Sequence, residues 1–251
     1  MSTKAIAAKL TPMTVWTLLL FLYNDWVLAP VLNPGLSTHA SLISEISART
    51  QPYHWVFQTL DIGAGMLTLV LLPCTLRLLG KQPAIWRWLL FAGVALIGSD
   101  SIIDAMLPLS CAPSVDVHCS ISAMHSLITD AHMVESTVIG AVTFIAPVLW
   151  WLRFRASRLL LAQSSALFIV LQMGVALGVV IAHRNETAVV GLLQRFYQLS
   201  IGCWLALVIS SGIRAAQRYR AARQTSTPEL PTARSLLASG RATISANSAE
   251  L

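Results

Sequence analysis

Six long runs of apolar residues constrain this chain more than any other feature of its sequence. A helix needs about 20 apolar residues to cross a bilayer, and the alternating pattern of a membrane barrel is absent. Only 11% of the residues are charged, less than half of the roughly 25% that is typical of soluble domains. We therefore predict an all-α protein, a polytopic membrane bundle of six transmembrane helices in a lipid bilayer. The predicted spans are Met13–Leu32, Val56–Leu79, Ile85–Leu109, Ala131–Leu152, Leu159–Ala182 and Val189–Ile213.

Lysine and arginine are distributed unevenly between the two ends of these spans. Of the 17 basic residues, 14 precede span 1, flank the turns after spans 2 and 4, or follow span 6. The positive-inside rule places that side in the cytoplasm. We therefore predict cytoplasmic termini in an inner or plasma membrane. Residues 1–12 would form a cytoplasmic segment, 13–213 the transmembrane domain, and 214–251 a tail that is basic and then, from Gln224, disordered. Topology accounts for the net charge of +6, so it indicates no nucleic-acid partner.

The four cysteines fall into two kinds of place. Cys111 and Cys119 belong to one outer loop, and this spacing in an oxidising compartment favours a disulfide. Zinc binding with the adjacent His118 is the alternative, although metal pairs usually have two to four intervening residues. Cys74 and Cys203 lie inside spans, where cysteine usually serves packing.

The first outer segment also has an amphipathic stretch. Residues Thr38–Ser47 mix three branched apolar residues with serine and glutamate. This pattern predicts a short helix lying on the membrane surface.

Six carboxylates lie in or beside the predicted spans, all of them in the outer half. Ionisable groups at membrane depth are costly and usually face a cavity. Asp100 and Asp104 share one face of span 3, and Arg195 is the basic residue nearest to this zone. We therefore predict a polar pocket that is open to the outside. Its residues would be Asp25, Asp61, Asp100, Asp104, Asp130, Glu135 and Arg195, joined by His125 and His132 at the start of span 4.

Several functions fit this pattern. In a metal-dependent hydrolase acting on a lipid or small amphiphile, His125, His132 and Asp104 or Glu135 would hold a divalent cation such as zinc, and Asp100 would be the general base. In a proton- or cation-coupled transporter or sensor, the carboxylates would carry the coupling ion.

In a structural subunit the same residues would only stabilise the fold. Asp61 and Asp130 would then cap helix starts, and Asp25 would pair with Arg195. The sequence leaves the ligand and the oligomeric state open.

The same residues carry a family resemblance. The chain resembles the uncharacterised prokaryotic membrane proteins grouped as domain of unknown function 998, over about residues 14–213. This resemblance implies a membrane fold with an important outer face, and it implies no substrate. The shared motifs are Asn24–Leu28, Leu32–Ser37, Ile43–Ala48, Gln51–Tyr53, Asp61, Asp104, Leu107–Pro108, Cys111–Ser114, Cys119, His125 and His132.

A looser likeness links the chain to membrane hydrolases of the alkaline ceramidase and adiponectin-receptor type. Those proteins combine an Asp, a Ser and three His around zinc within seven spans. Here Ser99 or Ser101, together with Asp104, His125 and His132, would match part of that set. A third histidine in a late span is missing, because His183 follows span 5 in the outer turn.

Overall fold

The computed structural model describes residues 11–80, 82–119, 127–184 and 188–225, and the regular elements in these ranges are helical. Three 3-10 turns, at Asp25–Leu28, Ile43–Glu45 and Leu72–Cys74, accompany the α-helices. The α-helices are α1 (Pro12–Leu22), α2 (Ala29–Leu32), α3 (His54–Leu71), α4 (Thr75–Leu79), α5 (Ala84–Met106), α6 (Leu127–Phe154), α7 (Leu159–Arg184) and α8 (Val190–Thr225).

The predicted all-helical membrane architecture is confirmed. Five stretches are long and apolar enough to cross a membrane, and a sixth is added if one bent helix pair is counted as a span. The five are His54–Leu79, Ala84–Met106, Leu127–Phe154, Leu159–Ala182 and Val190–Ala222. The membrane character of the chain therefore follows from its hydropathy, as expected.

The first predicted span, Met13–Leu32, is not one continuous helix. It bends by 61° between Pro12–Leu22 and Asp25–Leu32. At the bend, the Asn24 side chain donates to the Leu20 carbonyl at 2.8 Å. It also accepts from the Trp26 indole at 3.1 Å. These side-chain bonds take the place of helical bonds at the bend.

The predicted surface helix over Thr38–Ser47 is also wrong. Only Ile43–Glu45 is helical, as one 3-10 turn, and both Glu45 and Ile46 are buried. This segment folds inward onto the loop that follows α5. We call residues 33–53 and 107–119 together the cap, and the end of the bundle that carries them the capped end. The cap has its own small apolar core, formed by Leu36, Ile46, Ala48, Leu109 and Ala112 with Ala29 and Phe57.

The last helix extends further than the predicted span. Helix α8 continues to Thr225 instead of ending at Ile213, so the first arginines of the predicted tail are helical. Residues up to Ala216 form one compact unit, and a second unit begins at Gln217. The disorder predicted from Gln224 onward lies outside the described residues from position 226.

Small residues set the close approach of the helices that carry the candidate site. A Cβ atom added at Gly65 of α3 would collide with the Gly98 carbonyl of α5. A Cβ at Gly93 would lie 2.8 Å from the Ala146 side chain of α6. Helices in membranes pack through such small residues because lipid supplies no hydrophobic drive between them. Helix α5 is thereby held tightly between α3 and α6.

Candidate functional site

Three predicted site residues meet near the capped end of the bundle. Asp104 lies in the last turn of α5, while His132 and Glu135 lie three positions apart near the start of α6. One ligand atom of each residue lies within 4.8 Å of those of the other two. His132 is buried, whereas Asp104 and Glu135 are half-buried. We call these three residues the Asp-His-Glu cluster, and the arrangement fits one divalent cation.

The polar atoms of the cluster are incompletely bonded. His132 Nδ1 is buried, lies 3.0 Å from Asp104 Oδ1 and has no hydrogen-bond partner. Glu135 Oε1 is buried without a partner as well. Buried polar atoms normally find partners, so these two are free to coordinate an ion.

Two further carboxylates approach the cluster. Asp25 begins the 3-10 turn at the bend of the first segment and is buried, with one oxygen unpartnered. Asp25 and Asp61 interact electrostatically with each other and with Asp104. Asp25 thus lies at the bend of the first segment and within electrostatic range of Asp104.

The remaining sequence candidates separate from this group. Asp100 lies one turn deeper on α5, is half-buried and is not part of the cluster. Asp130 is exposed in the first turn of α6, as a helix-start carboxylate would be. His125 lies outside the described residues.

Arg195 contacts the cap and not the carboxylates around the Asp-His-Glu cluster, and the carboxylate that acts on it electrostatically is Glu45 of the cap. Its guanidinium donates to the carbonyls of Ser41 and Gly191, at 2.8 and 2.9 Å, and lies 5.9 Å from the centre of the Trp26 ring. Within the described ranges it forms no ion pair, so the Asp25–Arg195 pair considered from the sequence is not present. The charge of Arg195 serves to hold the cap on α8.

Glu45 is a buried carboxylate that sequence reasoning missed. It accepts from the Leu42 amide at 3.1 Å, and from the amide and hydroxyl of Ser114. These bonds join the two halves of the cap. The sequence carried no capping-box signal for Glu45, because Leu42 at the N-cap position has no side-chain acceptor and only the bond from the Leu42 amide to Glu45 forms.

The predicted disulfide is confirmed. Cys111 and Cys119 are bonded, with Cα atoms 5.7 Å apart. Within the closed loop, Asp116 accepts from the Ala112 amide at 2.6 Å and from the Thr50 hydroxyl. The loop leads from Asp104 toward His132, so the bridge restrains the connection between the two helices of the cluster.

A cavity elsewhere in the bundle is apolar. It lies between α7 and α8, has a volume of about 570 Å³, and is lined mainly by Leu, Val and Phe side chains such as Leu171, Phe196 and Leu207. Its lining includes no carboxylate. It is therefore distinct from the polar pocket that the sequence predicted.

The chain matches one known protein family. The sequence profile described as "Protein of unknown function (DUF998)" matches residues 15–211. The chain belongs to the DUF998 family. No curated protein and no solved structure matches the chain. The DUF998 region contains the whole Asp-His-Glu cluster and the cap, so both are parts of the family domain.

Proposed function

We propose that this protein is a membrane-embedded, metal-dependent hydrolase for a lipid or small amphiphile, with its centre at the Asp-His-Glu cluster. One observation carries the proposal: ligand atoms of Asp104, His132 and Glu135 lie within 4.8 Å of one another. Atoms bound to one zinc ion at about 2.1 Å are at most about 4.2 Å apart. Small side-chain movements would therefore close this set around one ion.

The composition of the cluster favours a catalytic over a structural ion. Structural zinc sites have four protein ligands, whereas catalytic sites have three and leave a position for water or substrate. Among the residues that the structure describes, the cluster offers three such ligands, and Asp104 is half-buried. An opening beside Asp104 would give substrate access to the ion.

The carboxylates near the cluster would act as proton acceptors in this hydrolysis. A bound divalent cation supplies an activated water and polarises a carbonyl or phosphoryl group. Asp25 and Asp61 interact electrostatically with Asp104, and each would accept a proton from that water. Asp100, one turn away on α5, is the base predicted from the sequence and remains the third candidate.

The position of the cluster supports a substrate that partitions into the membrane. Asp104 and His132 lie close to the ends of two candidate spans, beside the cap. The disulfide in the cap is typical of oxidising compartments, which supports placing the capped end outside the cytoplasm. An amphiphile at that boundary would present its polar group to the cluster while its apolar part stays in the bilayer.

Metal analysis of the purified protein tests this proposal. After incubation with zinc or manganese and removal of free metal, we expect about one ion per chain in the wild type. His132→Gln and Glu135→Gln should each lower metal affinity by at least tenfold, since the set would lose one of three ligands. Asp130→Asn is the matched control, because Asp130 is acidic and exposed on the same helix outside the cluster. It should bind as the wild type does.

The proposed hydrolase activity is tested with the metal-loaded protein and a panel of lipid esters, amides and phosphoesters. Hydrolysis that His132→Gln abolishes and Asp130→Asn retains would support it. Absence of metal from the wild type, or equal metal in all four proteins, would refute the metal centre. Metal binding without hydrolysis of any class would refute the enzyme while keeping the centre.

A coupled transporter is the second candidate, and a specific observation favours it. Asp25, Asp61 and Asp104, on three different candidate spans, interact electrostatically with one another, as carboxylates do in proton and cation pathways. Proteoliposomes would then show a proton or cation flux that Asp61→Asn removes and Asp130→Asn leaves unchanged. Absence of flux in wild-type proteoliposomes would exclude this function.

A further inference from the structure

A second cavity lies at the end of the bundle opposite the cap, where α5 begins and α6 ends. Its volume is about 390 Å³, and its lining consists of Gln82, Pro83, Trp86, Leu152, Arg153 and Arg155. We call it the arginine pocket. It lies at the opposite ends of α5 and α6 from the Asp-His-Glu cluster. The proposed hydrolysis makes no use of it.

The two guanidinium groups are held in place by neighbouring side chains. Arg153 Nε donates to Gln82 Oε1 at 2.5 Å, and the Arg153 guanidinium lies 5.6 Å from the centre of the Phe154 ring. The Arg155 guanidinium lies 5.4 Å from the centre of the Trp151 ring. Cation–π contacts of this kind orient a guanidinium without using its hydrogen-bond donors. The terminal nitrogens of Arg153 thus stay available to a ligand.

No acidic residue in the lining balances the positive charge of the pocket. Its lining contains two arginines and no acidic residue. Among the described residues, neither Arg153 nor Arg155 forms an ion pair with a carboxylate. Two neighbouring cations without a protein counter-ion favour an anionic ligand, and the planar donor fork of arginine matches the oxygens of a phosphate.

The surroundings of the pocket indicate where that phosphate comes from. The pocket lies at the ends of two candidate spans, Ala84–Met106 and Leu127–Phe154. Trp88, on the first turns of α5 but outside the lining, is 69% exposed, and tryptophans are enriched at the headgroup level of a bilayer. Trp86 and Leu152 add an apolar wall that a free phosphate ion would not need.

We propose that the arginine pocket binds the phosphate headgroup of an anionic membrane lipid. Arg153 and Arg155 would contact the phosphate, and Trp86 and Leu152 would contact the glycerol region and the first chain carbons. Basic pockets between membrane helices bind anionic headgroups in this manner. The proposal is independent of the metal centre, because it depends on other residues at the other end of the bundle.

Native mass spectrometry of the full chain in detergent tests the proposal. The probes are phosphatidylglycerol, phosphatidylcholine and inorganic phosphate, each titrated separately. We expect phosphatidylglycerol to bind the wild type at least tenfold more tightly than phosphatidylcholine. Arg155→Gln should weaken that binding roughly tenfold, because a hydrogen bond to a charged group is lost, and the Arg153→Gln/Arg155→Gln double variant should abolish the preference.

Arg158→Gln is the matched control, since Arg158 is exposed in the same connection and does not line the pocket. It removes the same charge and should change phosphatidylglycerol binding by less than twofold. Unchanged binding in the double variant, or an equal loss in Arg158→Gln, would overturn the proposal in favour of general attraction to basic residues. Binding of inorganic phosphate as tight as that of the lipid would overturn the assignment to a headgroup. Arg155→Gln keeps the Arg153–Gln82 bond, so the test stays decisive if the double variant folds poorly.

Discussion

Replacing Gly65 by alanine tests the packing that positions the candidate site. The added Cβ would collide with the Gly98 carbonyl and lie 2.6 Å from Ile102 Cγ1. Ile102 can change rotamer, but the carbonyl belongs to the backbone of α5 and moves only with the helix. Overpacking of this kind typically costs 1–3 kcal/mol, against a gain of about 0.5–1 kcal/mol in helix propensity. We therefore expect a net loss of roughly 1–2 kcal/mol in the free energy of unfolding.

Gly63→Ala is the matched control on the same helix. Its Cβ would meet only Leu22 Cδ2, at an ordinary contact distance of 3.8 Å. The propensity gain then acts alone, so the free energy of unfolding should stay equal or rise by up to about 1 kcal/mol. The two alanine variants should therefore change stability in opposite directions.

The assay is reversible unfolding of the purified protein in mixed detergent micelles, followed by tryptophan fluorescence. Gly65→Ala should also weaken metal binding, since pushing α5 away from α3 would move Asp104 relative to His132 and Glu135 on α6. Equal stability of Gly65→Ala and Gly63→Ala would refute the close approach of α3 and α5.

Two further predictions concern the cap and the orientation of the chain. Replacing both Cys111 and Cys119 by serine should lower the free energy of unfolding by about 2.5 kcal/mol for a closed loop of this length. The control Cys203→Ala should change the free energy of unfolding by less than about 0.5 kcal/mol. A loss of the same size in both variants would contradict a specific role of the bridge. Reporter fusions at Gln82 and Val115 should report opposite sides of the membrane, with Gln82 cytoplasmic, because basic residues cluster on that side; the same side for both positions would refute the predicted topology.

The sequence was sufficient for the features that depend on one segment at a time. Hydropathy over about 20 residues determines whether a helix can cross a bilayer, so five spans were predicted close to their observed positions, except that the last continues beyond Ile213. Cys111 and Cys119 were close enough in the chain for their spacing to predict the disulfide. The sequence also indicated Asp104, His132 and Glu135 as members of one polar zone, since buried charges are costly wherever they occur.

Only the tertiary structure decided which of these residues meet. Hydropathy does not give the rotation of one helix against its neighbours, and that rotation depends on contacts such as the one between Gly65 and Gly98. For this reason the sequence grouped Asp130 with the pocket, although it is exposed.

The bend in the first span and the inward fold of residues 38–47, which the sequence did not predict, have the same origin. The bend at Asn24 arises from side-chain bonds that an apolar average conceals. The inward fold of residues 38–47 depends on Glu45 meeting Ser114, which is 69 positions away. The composition of single segments therefore determined that this chain spans a membrane with acidic residues near one end. Packing between distant segments determined which of these acidic residues lie together.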